Sequence, residues 1–192
     1  FLTAGAFVGV VGRSSAQSVA YFMLDLIPAR FAVAVLFVVA CFVSTAMGTS
    51  VGTITLLTPI AVEVAQTAGF SNALCIGSVV GGAMFGDNLS FISDTTIAAT
   101  KTQGCDLKDK FRVNIWIAGP AALATLVLYL FMGHPGTVSS TASIKQILLV
   151  IPYVFVLAAG IFGINVLTVL ALGIIIAGAM GIALGQFDFF TW

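Results

Sequence analysis

Charged residues are scarce in this sequence. They make up 7% of its 192 residues, and seven Lys and Arg balance seven Asp and Glu. Soluble globular proteins carry about 25% charged residues. The low charge, together with a hydrophobic content of 60%, excludes a soluble domain and indicates an integral membrane protein. A net charge of zero also excludes a basic surface for nucleic acid.

Cysteine and histidine are equally sparse. The three cysteines have no CxxC spacing and no histidine neighbours, so they predict neither a zinc site nor a disulfide framework. We interpret them as small packing residues. The single histidine, His134, lies in "GHPG" and is interpreted as a turn residue.

The sequence also lacks an initial Met and a basic segment before its first apolar run. Residues 1–12 are too short and too rich in glycine for a whole span or a signal peptide. We therefore expect them to be the end of a truncated helix within a longer chain.

Long apolar runs dominate what is present, and crossing a bilayer takes about 20 such residues. Residues 113–132 form one uncharged span. Residues 146–187 are also uncharged, but a single helix of that length would measure about 60 Å, twice the hydrocarbon thickness. We expect this run to fold back near Gly160 to Asn165, which gives membrane helices at 145–164 and 166–187.

The first half is less regular. Residues 31–66 and 72–100 are apolar segments, each interrupted by a polar, glycine-containing run. Before them, residues 14–28 predict a helix along the membrane interface. Its proposed apolar face consists of Val19, Phe22, Met23, Leu26 and Ile27. The predicted fold class is an all-α integral membrane protein, a polytopic helical bundle with broken or re-entrant helices.

Basic residues give an orientation. Lys101, Lys108, Lys110 and Arg112 crowd one loop, which we assign to the cytoplasmic side. The same rule favours a single crossing for residues 31–66, although a re-entrant hairpin remains the alternative.

The interruptions contain the candidate site. "GDNLSFISDTT" places Asp87 and Asp94 inside an apolar chain, where each acid costs about 2.5–3.5 kcal/mol to insert. A bound cation would compensate them, since hard cations prefer oxygen ligands. The neutral candidate ligands are Thr49, Ser50, Asn88, Ser93 and Thr95. Glu63 is a weaker candidate, and a packing role for "GTSVGT" stays open.

These residues resemble the NhaC family of Na+/H+ antiporters. The likeness rests on "GDNLSFISDTTIAATKTQGCDLKD" and on an upstream "GTSVGT", and it extends over residues 31–112. It departs from the family at "NLSFIS", where many relatives have a run like "KMSPLS". The resemblance implies one half of an inverted-repeat transporter, with broken helices that meet at a midplane site.

From this resemblance we expect a secondary transporter of the bacterial inner membrane that exchanges Na+ or another monovalent cation for H+. Asp94 would be the main cation and proton carboxylate, and Asp87 a second ligand or a brace at a helix end. No cofactor is expected. The expected partners are the lipid bilayer, the cation and proton, and the remaining half of the transporter; a homodimer stays open.

Two alternatives remain. The first is a Na+-coupled carrier of an organic acid or amino acid, although no arginine lies in a break to bind its carboxylate. The second is a membrane-embedded enzyme with paired aspartates. Because neither aspartate lies in a YD or GxGD sequence, we do not expect an enzyme.

Overall fold

The computed structural model describes residues 6, 18–91, 93–134, 151, 154–156, 158–159 and 166–183. Within these ranges the regular structure is entirely helical, so the predicted all-α fold class is confirmed. A helix at residues 18–26 and a 3₁₀ turn at Ala29–Phe31 come first. The later helices are α1 (Ala32–Met47), α2 (Ser50–Ala68), α3 (Asn72–Leu89), α4 (Asp94–Gln103), α5 (Leu107–Met132) and α6 (Val166–Ala183).

Three stretches are long and apolar enough to cross a membrane. They are Ala29–Met47, which contains α1, then α2 and α5. A fourth span forms if α3 and α4, which bend by 41° at their junction, are counted together. The chain is therefore a multi-pass membrane protein.

The first interruption is a turn between two helices. Gly48 ends α1 in the left-handed conformation, with φ of 67°, and Thr49 is the N-cap of α2. Helices of 19 residues are about 28 Å long. Residues 31–66 thus contain α1 and most of α2, and the chain reverses between the two helices at Gly48.

Helices α1 and α3 pack closely and run parallel. A Cβ atom built on Gly82 would clash with the Phe37 carbonyl oxygen and lie 2.9 Å from Ala40 Cβ. One turn later, a Cβ atom on Gly86 would clash with the Cys41 carbonyl oxygen. Small residues four positions apart let two helix backbones approach in this way.

The contacts between helices show which turns lie at the same end of the bundle. At one end, Gly133 after α5 abuts the carbonyl group of Arg30, just before α1. At the other end, Asn114 near the start of α5 donates a hydrogen bond to the carbonyl oxygen of Asn88. The α1–α2 turn, the α3–α4 junction and the basic α4–α5 turn therefore share one end of the bundle, and Arg30 lies at the opposite end.

The remaining predicted segments lie in several places. The helix at residues 18–26 falls inside the predicted interfacial helix, and it exposes Phe22 and Leu26 while Ala20 and Leu24 join the core. Helix α5 contains the predicted span 113–132 and begins six residues earlier, and α6 lies within 166–187. The fold-back at 160–165, nearly all of residues 1–12 and most of 145–164 lie outside the described residues.

Candidate functional site

The α1–α2 turn presents polar groups to the C-terminal end of α3. Thr49 caps α2 by accepting a hydrogen bond from the Gly52 amide at 3.4 Å. The hydroxyl of Thr53 donates to the carbonyl oxygen of Thr49 at 2.9 Å. These local bonds satisfy backbone groups at the start of α2 and position Ser50, its first residue.

Ser50 and Asp87 form the contact at the centre of this site. The Ser50 hydroxyl donates a hydrogen bond to Asp87 Oδ2 at 2.9 Å, across 37 positions of sequence. The other carboxylate oxygen, Oδ1, is buried and has no hydrogen-bond partner in the described structure. A buried polar atom without a partner is costly, so Oδ1 is an open acceptor position for a proton, a cation or water.

Buried hydroxyls also line the α3–α4 junction. Ser90 is 3% exposed and Ser93, the N-cap of α4, is 1% exposed. The Ser93 and Thr95 hydroxyl oxygens lie 2.9 Å apart and share a hydrogen bond. Asp94 begins α4 and is exposed, as is Thr95.

The structure therefore divides the predicted ligands. It brings Ser50 to Asp87, and Ser93 to Thr95, whereas Asp94 adds no side-chain hydrogen bond to either pair. Asn88 is exposed, and its amide group donates to the Met84 carbonyl oxygen at 3.1 Å. The weaker candidate Glu63 is 6% exposed and lies toward the far end of α2.

Lys110 is a residue of this site that sequence reasoning missed. Its ammonium group donates to the carbonyl oxygen of Asn88 and, at 2.9 Å, to the hydroxyl of Thr96 in α4. Because Asn88 is the next residue after Asp87, the bond to Asn88 places the ammonium group on the same turn of α3 as the carboxylate, and the two charges attract. The sequence suggested a loop residue, because Lys110 stands among other charges. The structure instead places it in the first turn of α5.

The contact between Ser50 and Asp87 offers one carboxylate, with several neutral oxygens around it. In the part of the chain that the structure describes, no three His, Cys, Asp or Glu side chains group together. Carboxylate, hydroxyl and carbonyl oxygens suit a hard cation. A single exchanging charge is also sufficient to hold either a monovalent cation or a proton.

The site lies within the region that comparison with known proteins covers. A family model described as the Na+/H+ antiporter family matches residues 1–134. The chain belongs to the Na+/H+ antiporter family. The resemblance read from the sequence is thereby confirmed, and all of the predicted ligands fall inside the matched region of this antiporter-family chain.

Curated relatives agree with this assignment. The Na+/H+ antiporter NhaC of Alkalihalophilus pseudofirmus is 33% identical over 131 residues, which cover 68% of this chain and 28% of the relative. NhaC of Bacillus subtilis is 32% identical over 108 residues, or 55% of this chain and 24% of the relative. The malate-2H+/Na+-lactate antiporter of B. subtilis is 28% identical over 134 residues, or 69% and 28%.

The chain thus spans less than a third of the length of these curated relatives. No solved structure matches it. Membership of the family, together with the apolar helices, makes it a multi-pass protein of the plasma membrane and part of a transporter family.

Proposed function

We propose that the protein exchanges Na+, or another monovalent cation, for H+ across the plasma membrane by alternating access. The observation that carries this proposal is the open Oδ1 atom of Asp87, at a helix junction of a chain from the Na+/H+ antiporter family. Na+ and H+ are both cations that a single carboxylate oxygen can hold.

The exchange follows from competition for one atom. Ser50 occupies one acceptor position of Asp87 Oδ2, and Oδ1 is the open position for which a proton and a cation compete. Oδ1 is buried without a hydrogen-bond partner among the described residues, and either ligand supplies one. Cation entry therefore displaces the proton, and proton entry displaces the cation.

In this proposal Asp87 is the exchanging carboxylate of the described part. Asp94 was expected from the sequence to have that role, but it is exposed at the start of α4. Its negative charge lies at the positive end of the α4 dipole, which stabilises the helix. Asp94 then serves as a second ligand, with Thr49, Ser93, Thr95 and Asn88 as neutral groups around the junction.

Cation and proton transport are coupled only if the site switches from one side of the membrane to the other while a cation or a proton is bound. The close backbone contact at Gly82 and Gly86 joins α3 firmly to α1, and α2 contributes Ser50 to the same unit. We propose that α1, α2 and α3 move together as one body. The contact between Ser50 and Asp87 then passes between the two membrane sides intact.

A second candidate is a Na+-coupled exchanger of small organic acids. One relative is named a malate-2H+/Na+-lactate antiporter. Lys110 also lines an open cavity of about 400 Å³ between α4 and α5, beside Gln103, Asn114 and the acidic Asp109. An ammonium group and amide donors in such a cavity could bind the carboxylate of a small acid.

The test is proton flux across the membrane of vesicles that contain the full-length protein, recorded with a pH-sensitive dye after pulses of Na+, Li+ or K+. Wild type should release protons on a cation pulse, and Asp87→Asn should abolish the response. Asp106→Asn is the matched control, because Asp106 is exposed and makes no side-chain cap hydrogen bond at the same end of the bundle.

Other outcomes separate the alternatives. Full activity of Asp87→Asn with loss in Asp94→Asn would transfer the exchanging role to Asp94. A response that requires malate, lactate or an amino acid would overturn simple cation/proton exchange in favour of the second candidate.

A further inference from the structure

We propose that Lys110 is a built-in counter-charge for Asp87, which weakens cation binding enough for the transported cation to leave. The inference rests on the proposed exchange at Asp87. In this proposal Lys110 does not touch the cation. Its positive charge lies near the carboxylate and lowers the affinity of the site for the cation.

The geometry fixes the ammonium group beside the carboxylate without an ion pair. Lys110 directs hydrogen bonds to the carbonyl oxygen of Asn88, the next residue after Asp87, and to the Thr96 hydroxyl. Asp87 Oδ1 accepts no hydrogen bond from Lys110 or from any other residue that the structure describes. The charges attract each other, yet Oδ1 stays open to a mobile ligand.

This arrangement has a direct effect on cation affinity. In the empty site, the fixed ammonium partly compensates the charge of Asp87. In the loaded site, it repels the bound cation. The attraction between the ammonium group and Asp87 is present in both states and cancels, so the repulsion of the bound cation is what reduces the free energy gained on cation binding. A carrier needs such moderate affinity to release its substrate.

A purely structural role makes a different prediction. Lysine often satisfies the free carbonyl groups at a helix C-terminus, and Lys110 does so at the end of α3. Loss of that bond alone would disturb the α3–α4 junction, lower the yield or the maximal rate, and leave no reason for the cation to bind more tightly.

The experiment measures the KM for Na+ and the maximal rate of exchange in vesicles of the full-length protein, at alkaline pH where protons compete least. Lys110→Gln should lower the KM by about three- to thirtyfold, the range expected for one unit charge nearby. The maximal rate should fall as well, because a tightly held cation leaves more slowly.

Two variants serve as controls, and a third is a fallback. Lys110→Arg keeps the charge and should hold the KM within about twofold of wild type. Lys108→Gln removes an exposed charge two positions away and should change neither parameter. If Lys110→Gln gives no folded protein, Thr96→Val removes one anchor of the ammonium group and should lower the KM by a smaller factor.

The outcomes are distinct. An unchanged or raised KM in Lys110→Gln, with Asp87→Asn inactive, would overturn the role of Lys110 and leave the proposed exchange intact. An equal fall of KM in Lys110→Arg would also overturn it, because charge would not be the cause. Full activity of Asp87→Asn would instead remove the proposed site itself. If Lys110→Gln does not fold and Thr96→Val is used in its place, an unchanged KM for Na+ would overturn the role of Lys110.

Discussion

The hydrogen bond from Ser50 holds one oxygen of Asp87 and leaves the other free. We expect Ser50→Ala to raise the KM for Na+ by about ten- to a hundredfold, since a hydrogen bond to a charged group contributes about 1.5–3 kcal/mol. Thr58→Val is the control in the same helix, because the Thr58 hydroxyl bonds only the backbone of Ile54. Equal KM values for the two variants would show that Ser50 does not orient the carboxylate.

Single residues were predictable where their chemistry contrasts with the surrounding sequence. Asp87 and Ser50 stand out as polar residues in an apolar chain, so both could be named from the sequence. Their contact could not, because 37 positions separate them and only the fold brings them together. Lys110 was missed for the opposite reason: a lysine among charges resembles an ordinary loop residue.

At the scale of helices, the contact between α1 and α3 depends on glycine. We expect Gly86→Ala to lower folded yield and thermal stability in detergent, because the added Cβ would clash with the Cys41 carbonyl oxygen and lie 2.8 Å from Ser44 Cβ. Gly77→Ala in the same helix meets nothing within 4 Å. It should be neutral or stabilising, by up to about 1 kcal/mol, through helix propensity. Equal effects of the two would rule out this packing.

The sequence predicted where the helices break and could not predict what each break does. Glycine and hydroxyl residues mark both positions. At Gly48 the chain reverses between two span-length helices, whereas the α3–α4 junction bends by only 41°. Because similar residues mark both breaks, the angle between the helices that each break joins could not be read from them.

For the whole molecule, the packing makes a prediction about sidedness. Cys105 is exposed in the basic turn between α4 and α5, which the charge rule assigns to the cytoplasm. A membrane-impermeant maleimide should label Cys105 in inside-out vesicles and spare it in intact cells, and Cys105→Ser should remove the signal. In that Cys105→Ser background, His134→Cys should be labelled from outside, because His134 follows Gly133 at the opposite end. Labelling of Cys105 in intact cells would invert the topology.

The central claim is that one carboxylate takes either a cation or a proton. Calorimetric titration of Na+ into the purified full-length protein tests it most directly, in two buffers of different ionisation enthalpy at the same pH, near the midpoint of proton competition. We expect Na+ binding to release a fraction of a proton per ion, seen as a buffer-dependent heat, and Asp87→Asn to lose both binding and release. Sodium binding without proton release, or unchanged binding by Asp87→Asn, would contradict the account.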